Sequence, residues 1–211
     1  MQKINYGKIL DDKLAELKKS GVKPTLLLHA CCAPCSSHTL LYLCDYFDIT
    51  LYFFNPNIAP ESEYIYRREE LKRLVAELGL DVKIIDEDYD SAPFYALSKG
   101  YEDLPERGER CQRCIEYRLR KTAERAKYLG SDYFTTTLTI SPHKDCGFIN
   151  QCGGKLAEEL GISYLFSDFK KHDGYKHSIE LSKKYNLYRQ DYCGCPFSRV
   201  QKHGASEQGG I

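Results

Sequence analysis

The chain has 211 residues, 42% of them hydrophobic, and thirty basic side chains balance thirty acidic ones. This length suits a single buried core, and the charge balance sets aside nucleic-acid binding by bulk charge, leaving only a local basic face. Ten cysteines, with no leader-like apolar segment and no run of about 18 apolar residues, set aside a disulfide scaffold and a membrane-spanning helix; the expectation is a cytoplasmic protein whose thiols serve metal or redox chemistry.

Residues 3–20 place Ile4, Ile9, Leu10, Leu14 and Leu17 at roughly helical spacing before Gly21 and Pro24, which predicts an N-terminal helix. Residues 25–30 are a short apolar run of the kind found in a strand buried on both faces. Similar runs follow at 49–54, 82–85, 132–137 and 163–166, separated by helical patterns over 36–46, 61–78, 109–128 and 146–160. Parallel strands need crossovers, and the crossovers here read as helices. The predicted fold class is therefore α/β: a five-stranded, mostly parallel sheet with helices on both faces, in a single domain over 1–211. A short helix is expected at 92–99 and another at 174–185, followed by a cysteine-bearing segment and a frayed tail, HGASEQGGI.

Cys31-Cys32-Ala33-Pro34-Cys35 follows the first predicted strand and precedes a helix. Its thiols belong at the carboxyl edge of the sheet, where open α/β sheets bind ligands, and a nearby helix N-terminus favours thiolate over thiol. Cys111 and Cys114 open a long helix and share one face at i and i+3. Cys193-Gly194-Cys195 lies in a loop whose glycine lets the backbone fold tightly around a metal. All seven are expected to be ligands converging at one sheet edge. Cys44, Cys146 and Cys152 each stand alone in a helical pattern and read as structural thiols.

A dithiol redox pair would account for Cys32 and Cys35 but would leave the other groups without a role. A structural zinc takes four ligands in a closed tetrahedron, and seven clustered thiols exceed one such site. The surplus points to a cubane cluster with a further metal or an open coordination position. Soft thiolates suit zinc as well as iron-sulfur clusters, so composition alone leaves zinc open.

Five motifs in one order, LLLHACCAPCS at 26–36, FFNPNIAPESEYIYRREE at 53–70, ERCQRCIEYRL at 109–119, TTLTISPHKD at 136–145 and FKKHDGYKHSIELSKKYNLYRQDYCGCPFS at 169–198, give the chain its resemblance to the QueH-type epoxyqueuosine reductases. The resemblance spans nearly the whole chain and implies an adenine-nucleotide-hydrolase-like (HUP) architecture. It also implies a [4Fe-4S] cluster with an adjacent mononuclear metal, iron being the expected ion, and reductive deoxygenation of epoxyqueuosine at the tRNA wobble position as the last step of queuosine synthesis. The family's metal-binding motifs fall on Cys31, Cys32, Cys35, Cys111, Cys114, Cys193 and Cys195. Some members carry aspartate where Cys35 stands, and there is one departure: asparagine is expected in place of Asp145.

Such a reaction consumes two electrons, from a donor the sequence does not identify, and two protons. His143, Asp145 and Tyr192 are the expected proton donors, with Asp191 beside them, whereas His29 lies in a buried strand and reads as a core residue. Arg67, Arg68, Lys144, Lys170, Lys171, Tyr188, Arg189 and Arg199, with Tyr64, Tyr66, Tyr175 and Tyr192 interleaved, are expected to grip tRNA by charge and stacking. Two rivals are an ATP-dependent tRNA-modifying enzyme of the pyrophosphatase-loop type and a zinc-stabilised RNA-binding module. The first needs a glycine-rich phosphate loop after the first strand, and HACCAPCS has no glycine there.

Overall fold

The structure is a computed structural model and describes residues 4–199. The frayed tail expected at 203–211 lies outside the described residues. The chain runs α1 (Tyr6–Ser20), β1 (Thr25–His29), α2 (Ala33–Leu43), β2 (Asp48–Phe53), α3 (Glu61–Leu78), β3 (Lys83–Asp86), α4 (Ala92–Ser98), α5 (Glu109–Leu129), β4 (Tyr133–Thr136), a 3₁₀ turn (Thr137–Ile140), α6 (Cys146–Leu160), β5 (Ser163–Tyr164) and α7 (Gly174–Lys184). Among these residues no helix is long and apolar enough to cross a membrane.

The five strands lie in the order β3-β2-β1-β4-β5, and every pairing is parallel. Successive side chains of β1 point to opposite faces. Leu26 and Leu28 enter a core with Leu10 and Leu14 of α1, Leu40 of α2 and Leu71 of α3. Leu27 enters a second core with Leu119 of α5 and Ile149 of α6. An apolar residue at every position of this strand is what burial on both faces requires. The strand order reverses between β1 and β4, so the sheet has a switch point there, and a crevice opens beyond the carboxyl ends of these two strands.

The predicted elements recur with shifted edges, and one shift matters. The helix expected from residue 36 begins at Ala33, because Cys32 is extended (φ −172°, ψ 165°) and Pro34 fits the first turn, where its missing N–H costs nothing. Cys32 is thus the helix cap, and Cys35 lies within the first turn. The strand expected over 132–137 stops at Thr136, whose hydroxyl accepts from Leu138 N at 3.1 Å and starts the 3₁₀ turn.

His29 closes β1 with no exposed surface. Its Nε2–H donates to Phe54 O at 3.1 Å, and its Nδ1 accepts from the Thr136 hydroxyl at 2.8 Å, so the neutral ring is fully satisfied. Burial, and then the Arg118 charge, lower its pKa to about 3. The unfolded ring protonates near about 6.5, so stability is fully present above that pH and is lost as pH falls towards 3. At pH 4.5 the expected loss is about 3 kcal/mol. Urea unfolding of the metal-free, reduced chain at pH 7.5 and 4.5 checks this: His29→Asn should show a correspondingly smaller drop, and equal drops would contradict it.

Candidate metal centre

Cys31 follows β1 at the sheet crevice. Thr137 Oγ1, at the start of the 3₁₀ turn that follows the neighbouring β4, accepts from Cys31 N at 3.1 Å and donates to Cys31 Sγ at 3.3 Å. Helix α2 then turns Cys32 and Cys35 to the same point. The Cys31 and Cys32 sulfurs are 3.8 Å apart, and those of Cys31, Cys32 and Cys35 all lie within 4.8 Å of one another. Thiol donation from Cys31 and then Cys35 holds Cys32 well below the ordinary thiol range. Donation to Cys32 pushes Cys31 up to about 12, and its neighbours Cys31 and Cys32 raise Cys35 too. The lowered Cys32 thiol thus lies between two raised ones, a set whose protons a soft cation would replace.

Cys111 and Cys114 sit in the first two turns of α5, whose start is set by Gly108. Cys193 and Cys195 come from the loop after α7. Gly194 between them adopts φ +98°, its carbonyl accepts from Ala59 N at 3.0 Å, and Asn57 Nδ2 donates to Cys193 O at 3.3 Å. These four cysteines line one cavity. Donation from Cys195 holds Cys193 well below the ordinary range, Lys144 and Ser198 reinforce this, and Cys195 is correspondingly raised.

An alanine Cβ at position 194 would lie 2.8 Å from Ile58 Cγ1 and 3.1 Å from Arg67 Nη1, on backbone that L side chains rarely adopt. Gly194→Ala is therefore expected to cost roughly 1–3 kcal/mol and to loosen both flanking cysteines. Urea unfolding and metal content after loading test this; wild-type values for both would contradict it.

A larger cavity of ≈ 320 Å³ opens from the Cys31, Cys32 and Cys35 group, and Cys193, Arg118 and Lys144 line both cavities. The two thiol groups are therefore neighbours across a shared wall. The larger cavity is also walled by Leu138, Ile140, His143, Tyr175, Arg189, Gln190, Asp191, Tyr192, Arg67 and Glu106. Burial pulls the Lys144 ammonium down, but Cys193, Cys111 and Glu106 outweigh it and the net shift is upward. Burial raises the Tyr192 phenol, whose ring has Arg67 Cζ at 5.1 Å and Arg199 Cζ at 5.9 Å from its centre.

Of the residues expected to act on protons, His143 and Tyr192 line this cavity, whereas Asp145 caps α6 by accepting from Phe148 N at 3.0 Å and is not among the lining residues. Of those expected to grip tRNA, Arg67, Lys144 and Arg189 line the cavity, but Arg67 is a buried residue paired with Glu63 at 2.7 Å. Arg68 pairs with Glu69 and Asp86, and Tyr188 donates to Glu63. Lys170 donates to Thr139 O and pairs with Asp168, while Lys171 and Arg199 are exposed. Cys44, Cys146 and Cys152 line neither cavity.

The sequence reading passed over Arg118, Arg110 and Asn55. Arg118 Nη1 donates to Asn55 Oδ1 at 3.1 Å, and Asn55 Nδ2 donates to Ala30 O at 2.9 Å, directly before Cys31. Arg110 donates to the carbonyls of Tyr101 and Glu102 and stands over Phe197. The signal was present: residues 111, 114 and 118 fall on one helical face.

The family described as epoxyqueuosine reductase QueH matches residues 26–201. The chain is 43% identical over 201 residues to the epoxyqueuosine reductase QueH of Streptococcus pyogenes serotype M1, covering 93% of this chain and 79% of the relative. It is 42% identical to that of Staphylococcus epidermidis over 95% of this chain and 87% of the relative. For the Thermotoga maritima protein of the same name the identity is 37%, over 84% and 92% respectively.

Proposed function

Because the chain belongs to the epoxyqueuosine reductase QueH family, we propose that it removes the epoxide oxygen of epoxyqueuosine at the wobble position of tRNA, in the cytoplasm. Both carbon–oxygen bonds of the epoxide break, a carbon–carbon double bond forms, and two electrons and two protons carry the oxygen away as water. The observation that carries this reading is the pair of thiol groups sharing a wall, one of which opens into a cavity of ≈ 320 Å³.

The donors fit the metal centre this chemistry needs. A [4Fe-4S] cluster takes four thiolates, and Cys111, Cys114, Cys193 and Cys195 are the four thiols among the residues lining one small cavity. Cys31, Cys32 and Cys35 form a compact three-thiol set that would hold a single metal through three protein ligands, the number that catalytic rather than structural single-metal sites use. Buried guanidinium nitrogens without hydrogen-bond partners, Arg118 Nε and Arg110 Nη2, supply positive charge beside these thiols. When bound, the two groups supply electrons one at a time and a Lewis-acidic position for the epoxide oxygen.

The chain's own residues do the rest. Leu138, Ile140 and Pro34 give the cavity dry walls against which a cyclopentane ring packs. Tyr192, kept protonated by burial, and His143 stand where a proton is needed as the oxygen leaves. Lys144 and Arg189 on the wall, with exposed Lys171 and Arg199 outside it, are the residues left to contact the phosphates of the anticodon strand. The electron donor is a separate partner.

Expression in cells whose tRNA accumulates epoxyqueuosine tests the reading. Queuosine should appear in their tRNA nucleosides with the wild-type chain and not with a chain lacking Cys111. Unchanged epoxyqueuosine with an expressed, metal-loaded chain would refute it.

A further inference from the structure

Arg118 sits one turn beyond Cys114 on α5 and lines both cavities. It is only 5% exposed, and no carboxylate pairs with it among the described ion pairs. Asn55, a neutral amide, accepts from one nitrogen, and Nε has no hydrogen-bond partner. A buried guanidinium that cannot shed its proton and has no counter-ion destabilises a fold, unless a negative charge arrives from elsewhere. The groups facing it are thiols, which become anionic when they bind a metal: four line the second cavity with Arg118, and three more line the first.

We propose that Arg118 is a positioning residue whose buried guanidinium supplies the counter-charge for an anionic metal-thiolate centre at the wall between the two cavities. Asn55 fixes the guanidinium relative to Cys31 through Ala30 O, and the α5 backbone fixes it relative to Cys111 and Cys114. A single cation is thereby held against both thiol groups. The inference rests on the reading that these thiols hold metal, and it holds for any thiolate-bound metal.

Three opposed effects separate this role from a merely structural one. In Arg118→Met, which keeps the bulk and loses the charge, the metal-free chain should unfold in urea no more readily than wild type. Its affinity for zinc, used as the probe in competition with a chelator, should fall about tenfold or more, the usual scale for partners outside the ligand shell. After anaerobic loading with iron and sulfide, its cluster should be reduced at a more negative potential than wild type, because the added electron has lost a neighbouring cation. Arg118→Lys should lie between the two, and Arg113→Gln, which alters an exposed arginine paired with Glu109 on the same helix, should match wild type. An Arg118→Met chain that is destabilised or unfolded without metal, or that keeps wild-type zinc affinity, would overturn the proposal. A wild-type chain that binds zinc but takes up no iron and sulfide would instead refute the cluster reading, and the zinc comparison would still decide this one.

Discussion

Cys111→Ala is expected to yield a folded chain without acid-labile sulfide, without broad visible absorbance and without measurable turnover. Cys111 is partly exposed in the first turn of α5 and belongs to none of the apolar cores, so its removal should change stability by no more than about 1 kcal/mol. Its loss leaves Cys114, Cys193 and Cys195 around the smaller cavity. Three thiolates do not complete a four-thiolate cluster site, so iron and sulfide should fall together. Cys44→Ala is the control: Cys44 lines neither cavity, its thiol donates to Leu41 O at 3.5 Å, and metal content should not change. Iron and sulfide assays with absorbance spectra decide between these outcomes.

Cys32→Ser should separate the two thiol groups. The serine hydroxyl suits the cap position of α2, so the fold is retained. What is lost is the sulfur of its group whose pKa the neighbouring thiols lower. Sulfide and most of the iron should remain, the single metal should be missing, and turnover should drop on the order of a thousandfold, equivalent to about 4 kcal/mol of lost Lewis-acid stabilisation. A variant that loses all its sulfide, as Cys111→Ala does, would join both groups into one centre and contradict the division proposed here.

Much of this was legible because the relevant signals are local. The apolar run from Leu26 to Leu28 marked a strand buried on both faces, and the cysteine spacings marked their own convergence. The start of α2 was misplaced because helical periodicity in α2 becomes visible only after Cys35, whereas the capping conformation of Cys32 and the place of Pro34 set the first turn. The switch point between β1 and β4 follows from strand order, which no local pattern encodes.

The charged residues were read least well, for a physical reason. Arg67, Arg110 and Arg118 sit on helices among polar residues and look solvated, yet each is nearly or wholly buried beside the thiols. A sequence pattern reports which face of a helix is apolar but not which polar residue is drawn inward. Asp145 was singled out by its neighbours in the motif, and its carboxylate is engaged in capping α6.

The most direct test of the account is single-turnover reduction: purified chain, loaded anaerobically with iron and sulfide, mixed with epoxyqueuosine-containing tRNA and a chemical reductant, with the nucleosides then resolved by mass. Epoxyqueuosine should be converted to a product lighter by one oxygen atom, dependent on reductant and metal and independent of ATP. A fully loaded chain that leaves the nucleoside unchanged would contradict it.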